Sequence, residues 1–245
     1  MSDYFYSNSL VNSFQSAFKL GNNTETALWE LFKDLLLSLD NGNISIVTFL
    51  DLTAAFDTID HNILLSRLEH VFGLHGTALQ WFSSYLSNRT QTVSINNLKS
   101  DPAPVPCGVP QSSVPGPVLF VLYTTPLSDV IERHSIHNHS FADDTQLRKS
   151  APPQPVDELE QSMQECIHVV KVWMSRNKLK LNDDKTDAMI MHSQRMSTYL
   201  PMPDSPTVGT SNAFFFSVCQ NSRYDARYAS DHDKPGYKSS QNCKF

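Results

Sequence analysis

Three aspartates set the chemistry this chain is equipped for. In FADDTQL, Asp143 and Asp144 stand side by side between apolar residues, and in ISIVTFLDLTAAFDTIDH Asp51 closes an otherwise apolar run. A charge at the end of a water-excluded strand is costly unless it is paired or bound to a metal. With Asp51 and Asp143 facing each other from neighbouring strands and Asp144 beside them, the carboxylates can hold two Mg²⁺ ions roughly 3.5–4 Å apart. That spacing clamps both oxygens of an in-line phosphoryl displacement. Mg²⁺ takes oxygen ligands and keeps waters and substrate phosphates as the rest of its shell. The competing reading is a plain turn, since Asp favours turns and a second pair, Asp183-Asp184, sits in a polar setting. His134, His137 and His139 raise the question of zinc. No cysteine or further histidine lies nearby in sequence to complete four ligands, and a solvated hairpin accounts for the cluster.

The elements that must position these residues alternate helix and strand. From Asn23, apolar residues at Leu28, Leu31, Phe32, Leu35, Leu36 and Leu39 fall on one helical face, with Asn23 or Thr24 as cap and Asn41-Gly42 as stop. ISIVTFLDL over 44–52 reads as a strand buried on both faces. Residues 62–72 and 77–87 read as amphipathic helices, and TQTVSI at 90–95 as an exposed strand. The Pro-rich stretch before VLFVLYTTPLSDVI demands an irregular loop and then a helix. HSFADDTQL reads as strand, tight turn and returning strand. Val156, Leu159, Met163, Ile167, Val170 and Met174 mark a long helix, and KLKLNDDKTDAMIMH a strand, turn and strand. Asp57 and Asp60 read as helix caps or turn formers. No sustained period exists beyond about residue 196, and the polar end resembles disorder.

Composition narrows the classes. The chain has 245 residues, 40% apolar and 18% charged, enough for one large domain or two small ones. Its net charge of −6 argues against a surface that grips phosphate backbones throughout. No apolar run is long enough to span a bilayer and the opening residues do not form a signal peptide, so an intracellular protein without membrane contact is expected. The four cysteines are too widely spread for a metal pair or a disulfide framework and read as reduced thiols.

LDLTAAFDTIDH, CGVPQSSVPGPVLF, FADDTQL and NKLKLNDDKTDAMI, in this order and at these intervals, resemble the successive palm motifs of reverse transcriptases of non-LTR, LINE-type retrotransposons. QSAFKLGNNTETALWELFKDLLLSLDNGN resembles the segment that precedes the first of them. The resemblance covers roughly residues 15–195. It implies an α+β polymerase palm, an antiparallel sheet backed by helices, with partial fingers and no thumb. The implied organisation is a residual fingers segment over 1–40 and a palm over 41–195 with a fingers-like helical insert at about 61–100. A tail over 196–245, disordered or foreign to the family, remains unassigned.

The implied activity is RNA-directed DNA polymerase, adding dNTPs to a primer 3′-OH on an RNA template by two-Mg²⁺ chemistry, with Mn²⁺ as a substitute. Carried over position by position, Asp51, Asp143 and Asp144 match the metal-binding carboxylates and Phe56 the bulky residue beneath the incoming sugar. Gly108, Pro110, Gln111 and Ser112 match the loop that meets nucleotide and template, and Lys185 the lysine near the triphosphate. Two positions depart from the pattern. Ser112 stands where the family has glycine, placing a Cβ where backbone should approach the nucleotide, and Pro115 stands where it has leucine, tolerable in a first helical turn. Together with the absent thumb they lead us to expect weak or no polymerase activity. The rival readings are a non-catalytic remnant that binds nucleic acid or does nothing, and a different Mg²⁺-dependent phosphotransferase or nuclease, for which GVPQ and Phe56 would have no purpose.

Overall fold

The structure is a computed structural model that describes residues 14–19, 21–110, 112–153 and 156–193, together with the backbone of 207–208 and 211–218. Helix α1 (Thr24–Asp40) starts at a reciprocal cap. Thr26 N–H donates to Asn23 Oδ1 at 2.8 Å and Asn23 N–H donates to Thr26 Oγ1 at 2.9 Å, so two orphan donors of the first turn are satisfied. It stops at Asn41, after which Gly42 takes a left-handed φ of 73°. Strand β1 (Ile44–Leu50) follows, buried along nearly its whole length.

Helices α2 (His61–His70) and α3 (Gly76–Leu86) come next, and Asp60 caps α2 by accepting from the N–H groups of Asn62 and Ile63 at 2.9 and 3.0 Å. The expected strand over 90–95 is split. Strands β2 (Thr90–Gln91), β3 (Ser94–Ile95), β4 (Leu98–Lys99) and β5 (Ala103–Pro104) form two small ladders, β2 with β5 and β3 with β4. A two-residue turn at Asn96 and Asn97, both at positive φ, folds β4 back onto β3.

The expected single helix after the Pro-rich loop is also two. Helix α4 (Pro115–Thr124) begins with its proline in the first turn, and α5 (Pro126–Glu132) begins at the next proline. Pro126 has no N–H to continue α4. Strands β6 (His137–Phe141) and β7 (Asp144–Ala151), helix α6 (Val156–Arg176), a 3₁₀ turn (Asp183–Lys185), and strands β8 (Asp187–Ser193), β9 (Thr207–Val208) and β10 (Ser211–Val218) complete the chain order.

The main sheet has the order β6-β7-β1-β8-β10-β9. Pairing is antiparallel from β6 to β8, while β10 runs parallel to β8. The run SNAFFFSV carries no period that names a partner, and it is pairing with β8 that makes it a strand. Because successive side chains of β1 point to opposite faces, Val47 packs with Leu31, Leu35 and Leu39 of α1, while Ile44, Ile46 and Leu50 join the larger core beneath α2, α4 and α6. Arg67 ties this layer together: its guanidinium lies 4.6 Å from the Tyr123 ring centroid and 5.2 Å from that of Trp173, and donates to Tyr123 O and Asn177 Oδ1. The architecture is the expected antiparallel sheet backed by helices. Among the described residues no helix is long and apolar enough to cross a membrane.

Candidate active site

The site forms where β1 leaves the sheet. Leu50 pairs with Thr145 and Phe49 with Gln146, so Asp51 and Asp144 are the residues next beyond the last pair of this ladder. Phe141 pairs with Asp144, so Ala142 and Asp143 are the two turn residues of the hairpin. The sequence led us to expect Asp143 opposite Asp51. The short turn puts Asp143 at its tip, and Asp144 is the first residue of β7.

Asp51 is held by the loop ahead of β8. Asn182 N–H donates to Asp51 O at 2.9 Å, Asn182 Nδ2 donates to Asp51 Oδ2 at 3.1 Å, and Lys185 Nζ lies 4.0 Å from the same oxygen. The loop is anchored in turn by the Lys171–Asp183 ion pair at 2.7 Å. Partial burial, then repulsion from Asp143 and Asp51, pushes the Asp144 carboxyl above its ordinary value, and Lys185 opposes the shift.

As the side chains stand, no three His, Cys, Asp or Glu among the described residues are gathered closely enough to share one ion. Asp51 is turned to Asn182 and Lys185, and mutual repulsion keeps like charges apart. The donor set nevertheless suits a hard divalent cation, being all carboxylate oxygen at the ends of adjacent strands. Such a cation would offset the burial and the repulsion that raise Asp144.

The loop carrying Gly108 is joined to the segment after Asp51. Gly108 N–H donates to Ile59 O at 2.7 Å and Val109 N–H to Phe56 O at 2.9 Å. Arg89 Nη1 donates to Gly108 O at 2.7 Å, and His61 Nε2 lies 2.8 Å from that oxygen, which assigns its hydrogen to Nε2. Gly108 has φ +83°, and a Cβ there would come within 2.8 Å of Asp57 O. Phe56 stacks on Phe120 with centroids 4.7 Å apart. Pro110 O accepts from Ser113 Oγ at 2.6 Å, and that hydroxyl also accepts from Gly116 N–H at 3.1 Å and from Tyr85 Oη at 2.9 Å. Ser112 is exposed at φ 59°, and Gln111 lies outside the described residues.

Asn182, Arg89, Ser113 and Gln15 were not singled out in the sequence. Only Asn182 left a signal, a turn-forming residue directly ahead of Asp183-Asp184.

Known proteins resemble this chain in sequence and in fold. Residues 2–225 match the family Reverse transcriptase (RNA-dependent DNA polymerase). The probable RNA-directed DNA polymerase from transposon BS of Drosophila melanogaster is 28% identical over 191 residues, 76% of this chain and 21% of that protein. The RNA-directed DNA polymerase from mobile element jockey of the same organism is 27% identical over 181 residues, 71% and 19% of the two chains. This chain thus spans about a fifth of the length of these relatives. Among solved structures, a telomerase from Candida albicans in complex with a TWJ fragment of telomeric RNA superposes with a TM-score of 0.54 at 14% identity, covering 76% of this chain and 33% of that one. Apo telomerase from Candida tropicalis, truncated from its C-terminal domain, gives 0.51 at 15% identity, covering 76% and 37%. At such identity these two speak for the fold alone, a reverse-transcriptase palm. Members of the matched family work with divalent metal ions, and this chain belongs to it, as a reverse transcriptase domain of the LINE type.

Proposed function

We propose that this domain extends a DNA primer on an RNA template, with Asp51, Asp143 and Asp144 holding two Mg²⁺ ions and dNTPs as substrates. The observation that carries the reading is the strand register: Leu50, next to Asp51, pairs with Thr145, next to Asp144, and Asp143 occupies the adjoining turn. Bound there, the ions would supply positive charge to the attacking 3′-oxygen and to the departing pyrophosphate.

The remaining work falls to the chain's own groups. Asn182 keeps Asp51 at the strand end, and Lys185, exposed and 4.0 Å from Asp51, is free to turn toward the leaving pyrophosphate and give it a proton. Phe56, backed by Phe120, offers a ring that a ribose 2′-OH would strike, which favours dNTPs. Gly108, Pro110 and Ser112 would line the path of nucleotide and template. Arg89 and His61 hold that wall rigid through the Gly108 carbonyl. One observation favours the rival reading of a remnant that folds without synthesising: Ser112 takes a left-handed φ that glycine adopts without cost.

The test is primer extension on poly(rA)/oligo(dT) with Mg²⁺ and dTTP, comparing the chain with Asp143→Ala and Ser112→Gly. Extension by the unaltered chain that disappears in Asp143→Ala supports the polymerase. No product from either the chain or Ser112→Gly supports the remnant. A shortened primer instead of a lengthened one would point to a nuclease.

A further inference from the structure

Gln15 lies far from the carboxylates in sequence yet bonds directly to the turn that bears them. Its side chain is buried, with the residue 5% exposed. Gln15 Oε1 accepts from Ala142 N–H at 3.0 Å and from Ala17 N–H at 2.9 Å, while Gln15 Nε2 donates to Ala142 O at 3.2 Å. One amide thus engages both the N–H and the C=O of the turn residue next to Asp143. The backbone on either side extends the grip: Ser140 N–H donates to Phe14 O at 2.8 Å and Ser16 N–H donates to Ser140 O at 2.9 Å. Ser16 Oγ and His139 Nε2 share a hydrogen bond of 2.6 Å. Residues 14–17 therefore run along β6, which is the edge strand of the sheet.

The turn has need of such a partner. Ala142 sits at φ 57°, where a Cβ crowds the following carbonyl at a cost most residues avoid. The Phe141–Asp144 pair closes the turn on the strand side, and alanine adds no preference of its own for this φ, so any relaxation of Ala142 rotates the Asp143 peptide. Both bonds between Gln15 and Ala142 are made with the turn in this conformation.

We propose that Gln15 is a positioning residue that holds the Ala142–Asp143 turn in the shape required for divalent-cation binding by Asp143 and Asp144. This rests on the reading of those aspartates as ligands. Gln15 touches neither carboxylate; it acts through the Ala142 peptide.

The experiment uses the full chain without metal, then with Mn²⁺ as probe. Gln15→Met keeps the buried volume and removes both donor and acceptor, and Gln15→Glu keeps an acceptor for the two N–H groups. In Gln15→Met, amide exchange at Ala142 should quicken roughly tenfold, the effect of one or two lost hydrogen bonds, while amides from Gln146 to Lys149 in β7 keep their rates. Mn²⁺ affinity should fall by about tenfold, as for other groups that orient ligands. Gln15→Glu should restore the slow exchange. Unchanged exchange at Ala142, equal acceleration throughout β7, or undiminished Mn²⁺ affinity in Gln15→Met would each overturn the proposal. Should the unaltered chain fail to bind Mn²⁺, or bind it no more weakly in Asp143→Asn, the metal site itself is refuted and the positioning role with it. The exchange data would still decide whether Gln15 clamps the turn.

Discussion

Asn182 grips Asp51 through two hydrogen bonds, one from its backbone N–H to the Asp51 carbonyl at 2.9 Å and one from Nδ2 to Oδ2 at 3.1 Å. The first fixes where β1 ends and the second fixes one carboxylate oxygen. Asn182→Ala keeps the first bond and loses the second. It should reduce primer extension by about 10–100-fold, the range for groups that orient metal ligands, while costing only about 1 kcal/mol of stability. Steady-state extension kinetics beside a urea melt would check both, and a variant that loses stability and activity in proportion would refute the orienting role.

Ser112 at φ 59° makes the opposite kind of prediction. Glycine there removes roughly 1 kcal/mol of left-handed strain, offset in part by the greater freedom of the unfolded chain. Ser112→Gly should therefore raise the melting temperature by at most a few degrees and increase extension, with no gain in Ser112→Ala. Calorimetry of the three proteins settles the stability half.

Gly108 admits no such exchange. At φ +83° with Asp57 O only 2.8 Å from a would-be Cβ, Gly108→Ala must both strain the backbone and push the loop off the Phe56–Ile59 segment. A loss of about 2–4 kcal/mol is expected. Denaturant midpoints would show it, and a midpoint equal to that of the unaltered chain would show the two loops to be less closely joined.

The two thiols among the described residues differ by burial. Cys107 is exposed and Cys166 buried, and burial pushes the Cys166 thiol up to about 11 from an ordinary 9.0. Iodoacetamide at pH 8 should label Cys107 within minutes and spare Cys166 until the chain unfolds, as peptide mapping would reveal. The fold keeps the Cys166 proton to higher pH than the unfolded chain does. Its contribution to stability is thus complete below about pH 9 and lost as pH rises toward 11, a slope that Cys166→Ala should remove.

Much of this protein was legible in the residues themselves. Asn23, Asp60, Gly42 and Pro115 act locally, through caps, a left-handed stop and a first-turn proline, so their neighbours in sequence reveal them. The buried run of β1 and the hairpin at Asp143 were legible for the same reason, and so was membership in the reverse transcriptase family, carried by four short motifs. Tertiary structure decided what depends on registration between distant segments. That Asp144 begins β7 beside the end of β1 while Asp143 sits in the turn follows from the pairing of β1 with β7 and the length of the turn. The contacts of Asn182 with Asp51 and of Gln15 with Ala142 span 131 and 127 residues. A single polar side chain carries no periodicity, and its partner is chosen only when the sheet brings the two chain segments within hydrogen-bonding distance.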